Sequence, residues 1–142
     1  MNGRVDHVGI VVADTAAAIA LYGALAGLQA DPTVEHEREG VRITFLRASD
    51  ESGGATTVEL IEPTRPDTGV TRFVERRGEG MHHVCFEVED LNAEIGRLSG
   101  EGYELLDRAP RQGMHGERLA FVHPRSARGV LIELYERGSR NR

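Results

Sequence analysis

Two histidines and two glutamates recur at matching intervals along this chain of 142 residues. His83 follows His7 by 76 positions, and Glu133 follows Glu59 by 74 positions. Two neutral imidazoles and two carboxylates suit a divalent first-row metal ion such as cobalt, nickel, manganese, iron or zinc. The carboxylates balance the charge of that ion, and a six-coordinate ion would keep two positions open for a bidentate ligand. The spacing therefore predicts a metal site formed by His7, Glu59, His83 and Glu133.

The composition excludes several other kinds of active site. All 17 basic residues are arginine, so Schiff-base chemistry, lysine-bound pyridoxal phosphate and the P-loop lysine are excluded. Cys85 is the single cysteine, which excludes an internal disulfide and a cysteine-rich zinc site. No Gly-x-Ser-x-Gly elbow occurs. Acid–base or metal chemistry by histidine, aspartate and glutamate remains.

Each of the two histidines lies in a segment whose apolar residues occupy every second position. Residues 6–12 (DHVGIVV) correspond to residues 82–88 (HHVCFEV). This period of two predicts a half-buried strand with the histidine opposite the apolar side chains. The same alternation puts Glu59 and Glu133 opposite their apolar neighbours in two later strands. His82 is an alternative ligand, but the correspondence of the two segments pairs His83 with His7.

The segments that follow each histidine strand also correspond. Asp14 and Asp90 predict the N-caps of two amphipathic helices, Ala16–Ala26 and Asn92–Gly100. The inward-facing residues expected on these helices are Ile19, Leu25, Ile95 and Leu98. Three strands are predicted after each helix: Leu28–His36, Val41–Leu46 and Thr57–Ile61 in the first copy, and Tyr103–Leu106, Arg118–His123 and Val130–Tyr135 in the second.

The chain is thus predicted to be a tandem α+β protein with two βαβββ modules, at about residues 4–63 and 81–137. Residues 64–80 join the modules and are expected to hold a short helix near Val70–Arg77. Neither module is large enough to bury its sheet alone. We therefore expect the two modules to form a single domain over residues 1–142.

The net charge of −6 argues against nucleic acid or a membrane as a partner, because either would require a basic face. No apolar run reaches the length of a transmembrane helix, and residues 1–5 do not resemble a signal peptide, so we expect a cytoplasmic protein. One local exception is the segment 108–128, which has five arginines and one acidic residue. Within it, residues 111–116 are expected to form a mobile loop.

Four segments resemble the vicinal-oxygen-chelate superfamily, which includes glyoxalase I, extradiol dioxygenases and methylmalonyl-CoA epimerases. They are DHVGI (6–10), ELIEP (59–63), GEGMHHV (78–84) and HPRS followed by GVLIEL (123–134). The last two are typical of the epimerases, and the resemblance extends over residues 5–136. It implies a curved, barrel-like mixed sheet around a divalent metal ion, most often cobalt, and a homodimer.

The resemblance also implies a function and roles for individual residues. It implies that His7, Glu59, His83 and Glu133 bind the metal, and that the enzyme interconverts the (2R) and (2S) epimers of methylmalonyl-CoA in propionyl-CoA metabolism. Proton transfer at C2 would pass through a metal-stabilised enolate and needs a proton carrier on each face. Glu133 is expected on one face. Glu59, or a water molecule, is expected on the other, because Ile43 stands where some relatives carry a second carboxylate.

An acyl-CoA substrate is highly anionic, and the arginine-rich segment 108–128 is the place where its phosphates are expected to bind. The candidate contacts are Arg111, Arg118, Arg125 and His115. A guanidinium group is permanently charged and matches phosphate oxygens with a pair of hydrogen bonds.

Two other functions use the same fold. A glyoxalase I-type lactoylglutathione lyase would act on a glutathione hemithioacetal with the same four metal ligands. A non-catalytic protein that binds antibiotics or other small molecules would not need those ligands. An extradiol dioxygenase is disfavoured, because Glu59 would crowd an iron site that has three protein ligands.

Overall fold

The computed structural model describes residues 3–49 and 55–140, so the outermost positions of the predicted domain lie outside the described residues. The described part of the chain contains nine β-strands, three α-helices and one short 3-10 helix. In chain order these are β1 (Arg4–Val11), α1 (Thr15–Ala26), β2 (Gln29–Ala30), β3 (Val34–His36), β4 (Val41–Arg47), β5 (Thr57–Pro63), α2 (Gly69–Arg77), β6 (Gly80–Val88), α3 (Leu91–Gly100), β7 (Arg111–Gln112), β8 (Arg118–Val122), the 3-10 helix (Pro124–Ser126) and β9 (Ile132–Glu136).

The chain divides into two compact units. The first unit contains the residues up to Asp6 together with those from His83 onward, and the second contains the described residues of His7–His82. We call them the C-terminal unit and the N-terminal unit. The order of elements confirms the predicted tandem βαβββ arrangement. The single-domain organisation over residues 1–142 stays a prediction.

The N-terminal unit has a mixed sheet. β1 runs parallel to β5, and β5 pairs with β4 in the antiparallel sense. β4 also pairs with the two short strands β2 and β3. One face of this sheet packs against α1 in a cluster of buried residues formed by Val12, Ala18, Leu46 and Leu60. At one end of the opposite face, Val11, Val41 and Ile61 pack against the apolar side of α2.

The C-terminal unit repeats that plan. β6 runs parallel to β9, β9 pairs with β8 in the antiparallel sense, and β8 pairs with the short strand β7. One face packs against α3 in a cluster of buried residues: Val88, Leu91, Ile95, Ala120, Val122 and Leu134. The opposite face carries His83, Glu133 and Phe121, because β6, β9 and β8 are paired so that these residues alternate with the apolar ones.

Several local predictions are confirmed. The carboxylates of Asp14 and Asp90 accept hydrogen bonds from the third residue beyond them, as N-caps do. The joint contains the expected helix, α2. On α3, Ile95 is buried and Leu98 packs against the same cluster, as predicted.

Three local predictions are wrong. The strand expected over Leu28–His36 is split into β2 and β3, because Pro32 lies between them and has no N–H to donate to a neighbouring strand. Residues 103–106 form only one isolated bridge, from Leu105 to Val122. Leu25 was expected to face inward but is 72% exposed, and Leu28, just beyond the left-handed Gly27, packs into the core instead.

The segment predicted as a mobile loop at residues 111–116 is partly a strand. Arg111 and Gln112 form β7, which pairs with Leu119 and Arg118. The turn that follows is held by the Glu117 side chain, which accepts a hydrogen bond from the backbone N–H of His115 at 2.7 Å. In the part of the chain that the structure describes, no helix is long and apolar enough to cross a membrane.

Candidate metal centre and active site

The N-terminal unit places His7 and Glu59 side by side. His7 lies on β1 and Glu59 on the adjacent parallel strand β5, with Gly9 as the register partner of Glu59. Both side chains therefore leave the sheet on the same face, and His7 Nε2 is 3.5 Å from Glu59 Oε2. Both residues are buried, with exposed fractions of 2% for His7 and 9% for Glu59.

The C-terminal unit places His83 and Glu133 in the same relation. His83 lies on β6 and Glu133 on the parallel strand β9, where its register partner is Cys85. His83 Nε2 is 3.0 Å from Glu133 Oε2, and both residues are buried. In each unit we call the sheet face that carries the histidine–glutamate pair the site face.

Each pair has a phenylalanine as a third member, which the sequence analysis missed. Phe45 is the register partner of Glu59, and its ring meets the His7 ring edge-on at 5.7 Å. Phe121 is the register partner of Glu133, and its ring meets the His83 ring edge-on at 6.2 Å. A signal was present in the sequence, because positions 45 and 121 differ by the same 76 residues as the two histidines.

The donor atoms of each pair fit a divalent metal ion. Metal–ligand bonds of about 2.1 Å put two neighbouring ligand atoms about 3.0 Å apart in an octahedral site and about 3.4 Å apart in a tetrahedral one. The observed separations of 3.0 and 3.5 Å are of this size, and both join a histidine Nε2 to a glutamate Oε2. Each pair also supplies one neutral nitrogen and one negative oxygen, a donor set that suits first-row metals.

The alternative ligand His82 has a different environment. Its ring packs edge-on against Phe73 of α2, with the ring centres 4.9 Å apart. Ile43 lies on β4 two residues from Phe45 and therefore on the same site face. Its side chain has no group that could carry a proton.

The four candidate substrate contacts lie in different surroundings. Arg111 lies on β7, and its guanidinium carbon is 5.0 Å from the centre of the Phe121 ring, on the site face. Arg125 is in the 3-10 helix, 76% exposed, and forms an ion pair with Glu104 at 3.5 Å. His115 lies in the turn between β7 and β8, where its backbone binds Glu117.

Arg118 is the fourth candidate, and it lies on the sheet face opposite Glu133. It forms an ion pair with Glu136 at 2.7 Å, and the Glu136 carboxylate also accepts a hydrogen bond from the first residue of α3, Leu91. The N-terminal unit has the same arrangement. There Arg42 pairs with Glu62 at 2.5 Å, and Glu62 accepts a hydrogen bond from the first residue of α1.

The repeated arginine–glutamate pair therefore has a structural function in both units. The carboxylate binds a backbone N–H at the start of a helix, where an anion is favoured. The arginine holds that carboxylate in place. In the N-terminal unit, the hydrogen bond to Glu35 and the attraction to Glu62 raise the pKa of Arg42 above its ordinary value. A contact between Arg118 and substrate stays a prediction.

Comparisons with known proteins assign the chain to a family. Residues 6–121 match the model of the Glyoxalase/Bleomycin resistance protein/Dioxygenase superfamily, and the two modules described above are those of its vicinal-oxygen-chelate fold. An uncharacterized Bacillus subtilis protein, YqjC, is 38% identical over 94% of this chain and 91% of its own length. The human mitochondrial methylmalonyl-CoA epimerase is 34% identical over 93% of this chain and 73% of its own length.

Solved structures point to the same group. A methylmalonyl-CoA epimerase in complex with methylmalonyl-CoA and NH4+ is 35% identical, covers all of both chains and superposes with a TM-score of 0.87. The chain belongs to the vicinal-oxygen-chelate superfamily and, within it, to the methylmalonyl-CoA epimerase family. It is accordingly an enzyme of the isomerase class, an epimerase.

Proposed function

We propose that this enzyme interconverts the (2R) and (2S) epimers of methylmalonyl-CoA by moving the proton at C2. The observation that carries the proposal is the buried histidine–glutamate pair that occurs once in each unit. The names of the relatives and of the solved structure supply the substrate. An acyl-CoA is therefore the proposed partner.

We propose that His7, Glu59, His83 and Glu133 are the protein ligands of a divalent metal ion. The donor separations within each pair support this assignment. Cobalt is the ion we expect first, and manganese, nickel or zinc would also accept these ligands. When bound, such an ion is a Lewis acid that stabilises negative charge on the oxygen atoms of the substrate.

Glu133 and Glu59 are the proposed proton carriers. The hydrogen at C2 of the substrate lies between a thioester and a carboxylate, so its removal spreads charge onto the flanking oxygens. Glu133, as a carboxylate, takes this proton from one face of C2, and Glu59, as the protonated carboxylic acid, gives a proton to the other face. The reverse reaction starts from the opposite protonation states. The Ile43 side chain cannot carry a proton, whereas Glu59, on the neighbouring strand β5, has a carboxylate on the same site face.

The surroundings of the two pairs favour this chemistry. His7, Glu59, His83 and Glu133 are each less than 10% exposed, so little bulk water reaches their polar atoms. The rings of Phe45 and Phe121 add apolar surface beside the histidines. Charge interactions are stronger in such surroundings than in water.

The CoA portion is proposed to bind at the arginine-rich segment. Arg111, Arg118, Arg125 and His115 are the proposed contacts, and the first three carry permanent positive charge in a protein whose net charge is −6. We further propose that the enzyme is a cytoplasmic homodimer, and that its reaction belongs to propionyl-CoA metabolism.

The test follows the proton at C2. Purified enzyme is incubated with methylmalonyl-CoA in deuterium oxide, with and without a chelator, and deuterium at C2 is measured by mass spectrometry. We expect incorporation that the chelator abolishes and that added cobalt restores. Absence of metal-dependent incorporation refutes the proposal. Turnover of methylglyoxal with glutathione, without turnover of methylmalonyl-CoA, would instead identify a glyoxalase I-type lyase.

A further inference from the structure

The two site faces have the same kinds of side chain directly beside the histidine–glutamate pairs on β4 and β8. Phe45 and Phe121 occupy equivalent positions, as the register partners of Glu59 and Glu133. Two residues before these phenylalanines, Ile43 corresponds to Leu119. Their register partners lie two positions after Glu59 on β5 and two positions after Glu133 on β9. Each pair is thus bordered by one aromatic and one aliphatic side chain.

The likeness ends at the next strand outward. Val34 on β3 is the register partner of Ile43, and Arg111 on β7 is the register partner of Leu119. Val34 and Arg111 therefore occupy equivalent positions on the two site faces, and both are partly exposed: 39% for Val34 and 44% for the Arg111 side chain. One unit has an aliphatic residue where the other has a permanent cation.

Arg111 is held in place by two neighbours. One carboxylate oxygen of Asp107 accepts a hydrogen bond from Arg111 Nε at 2.7 Å and forms an ion pair with Nη2 at 2.7 Å. The other oxygen of Asp107 accepts from the backbone N–H of Phe121 at 2.8 Å. The flat guanidinium lies over the Phe121 ring, a favourable cation–π contact. Asp107 engages one edge of the guanidinium, so the Nη1 edge points away from it.

Two other differences between the site faces, at Glu87 and Tyr135, do not supply an available charge. Glu87 corresponds to Val11, but its carboxylate is bound by Arg4 at 2.8 Å and by Arg137 at 2.5 Å. Tyr135 corresponds to Ile61 and is uncharged at neutral pH. Arg111 is therefore an exposed cation on the site face of the C-terminal unit, and its equivalent in the N-terminal unit, Val34, is aliphatic.

This asymmetry matters for a substrate with two different ends. The proposed substrate carries a carboxylate on one side of C2 and a thioester with a phosphate-bearing tail on the other. Because the two units carry equivalent histidine–glutamate pairs, these pairs alone do not distinguish the two ends of the substrate. We propose that Arg111 breaks that equivalence by binding an anionic group of the substrate, and that it thereby fixes the direction in which the substrate lies. The inference rests on the proposed function.

The experiment compares Arg111→Gln and Arg111→Lys with the wild type. The control is Arg97→Gln on α3, whose arginine is 40% exposed and has ion pairs with Glu94 and Glu101. Epimerisation is measured with methylmalonyl-CoA and with methylmalonyl-pantetheine, which has the carboxylate but no phosphates. Melting temperatures show whether a variant is folded. Calorimetric titration with methylmalonyl-CoA measures binding independently of turnover.

We expect Arg111→Gln to lower kcat/KM for methylmalonyl-CoA about 10- to 100-fold, mostly through KM, as the loss of one charge-assisted hydrogen-bonded contact does. Arg111→Lys should recover part of the loss, and Arg97→Gln should be within about twofold of the wild type. A loss with both esters identifies the carboxylate as the bound group, and a loss with the CoA ester alone identifies a phosphate.

Two results separate the inference from the function on which it rests. Unchanged kcat/KM for Arg111→Gln with both esters, in an active wild-type enzyme, refutes the role of Arg111 and leaves the proposed function intact. If the wild type turns over neither ester, the proposed function fails. The role of Arg111 as an anion contact is then decided by the titration: weaker binding of methylmalonyl-CoA by Arg111→Gln supports it, and equal binding refutes it.

Discussion

Glu87 is a buried carboxylate at the end of the site face in the C-terminal unit, and its removal should destabilise the protein. Its side chain is only 10% exposed and accepts hydrogen bonds from Arg4 and Arg137. Hydrogen bonds to charged groups contribute about 1.5–3 kcal/mol each when buried, and less when a partner is exposed. Because Arg4 and Arg137 are 39% and 53% exposed, we expect Glu87→Gln to cost about 2 kcal/mol in total at neutral pH.

The cost should depend on pH in a defined direction. Burial raises the pKa of Glu87, but the hydrogen bonds from Arg4 and Arg137 outweigh burial and hold the pKa below its ordinary value of 4.5. A carboxyl group whose pKa is lower in the folded state stabilises that state above its unfolded pKa. This stabilisation is lost as the pH falls through the folded value. The difference between wild type and Glu87→Gln should therefore be constant above pH 4.5 and shrink below it.

The assay is thermal unfolding followed by circular dichroism. For a domain of this size a loss of about 2 kcal/mol lowers Tm by about 8 °C. The matched control is Glu89→Gln, because Glu89 also contacts Arg137, at 3.5 Å, but is 85% exposed and should matter little. An equal effect of the two substitutions at neutral pH, or a Glu87→Gln effect that is undiminished at about pH 3.5, would refute the reasoning.

Other substitutions test the site and its supports. Glu133→Gln should retain most metal binding by calorimetry but lose about 100- to 10,000-fold in kcat, since an amide cannot carry the proton; full activity would remove its proposed role. Phe121→Leu should remove the ring contacts of both His83 and Arg111, so KM should rise with little loss of bound metal; unchanged KM would contradict this. Arg42→Gln and Arg118→Gln should both lower Tm, because each removes an ion pair with a glutamate. A KM that rises in Arg118→Gln but not in Arg42→Gln would support the proposed contact between Arg118 and a phosphate.

The sequence predicted the elements that the duplication repeats. His7 and His83 could be placed on equivalent strands because alternation of apolar residues is a local signal that two copies give twice. The N-caps at Asp14 and Asp90 were predictable for the same reason, because a cap depends on residues within one turn of the helix. Alternation also placed each glutamate opposite its apolar neighbours, but its position beside a histidine depends on the register of parallel strands, which only the structure shows.

What the sequence did not predict depends on contacts between distant residues. The segment after Tyr103 looks like a strand. However, the Asp107 side chain accepts a hydrogen bond from the backbone N–H of Phe121. This N–H is therefore not available for a further backbone hydrogen bond between this segment and β8. The function of Glu136 at the start of α3 was hidden too, because 45 residues separate it from Leu91. Such contacts become visible only when the strand register is known.

The duplication also helps to separate residues that maintain the fold from residues that select a substrate. Arg42 and Arg118 make the same contact in both units, so an explanation of Arg118 must begin with the helix that its glutamate partner binds. Arg111 has a contact set that its counterpart Val34 cannot have, so the shared architecture does not explain why a cation stands there. A charge that only one copy carries, on the face with the metal-ligand candidates, requires a reason outside the repeat. An anionic group on a substrate that must lie in one direction supplies that reason.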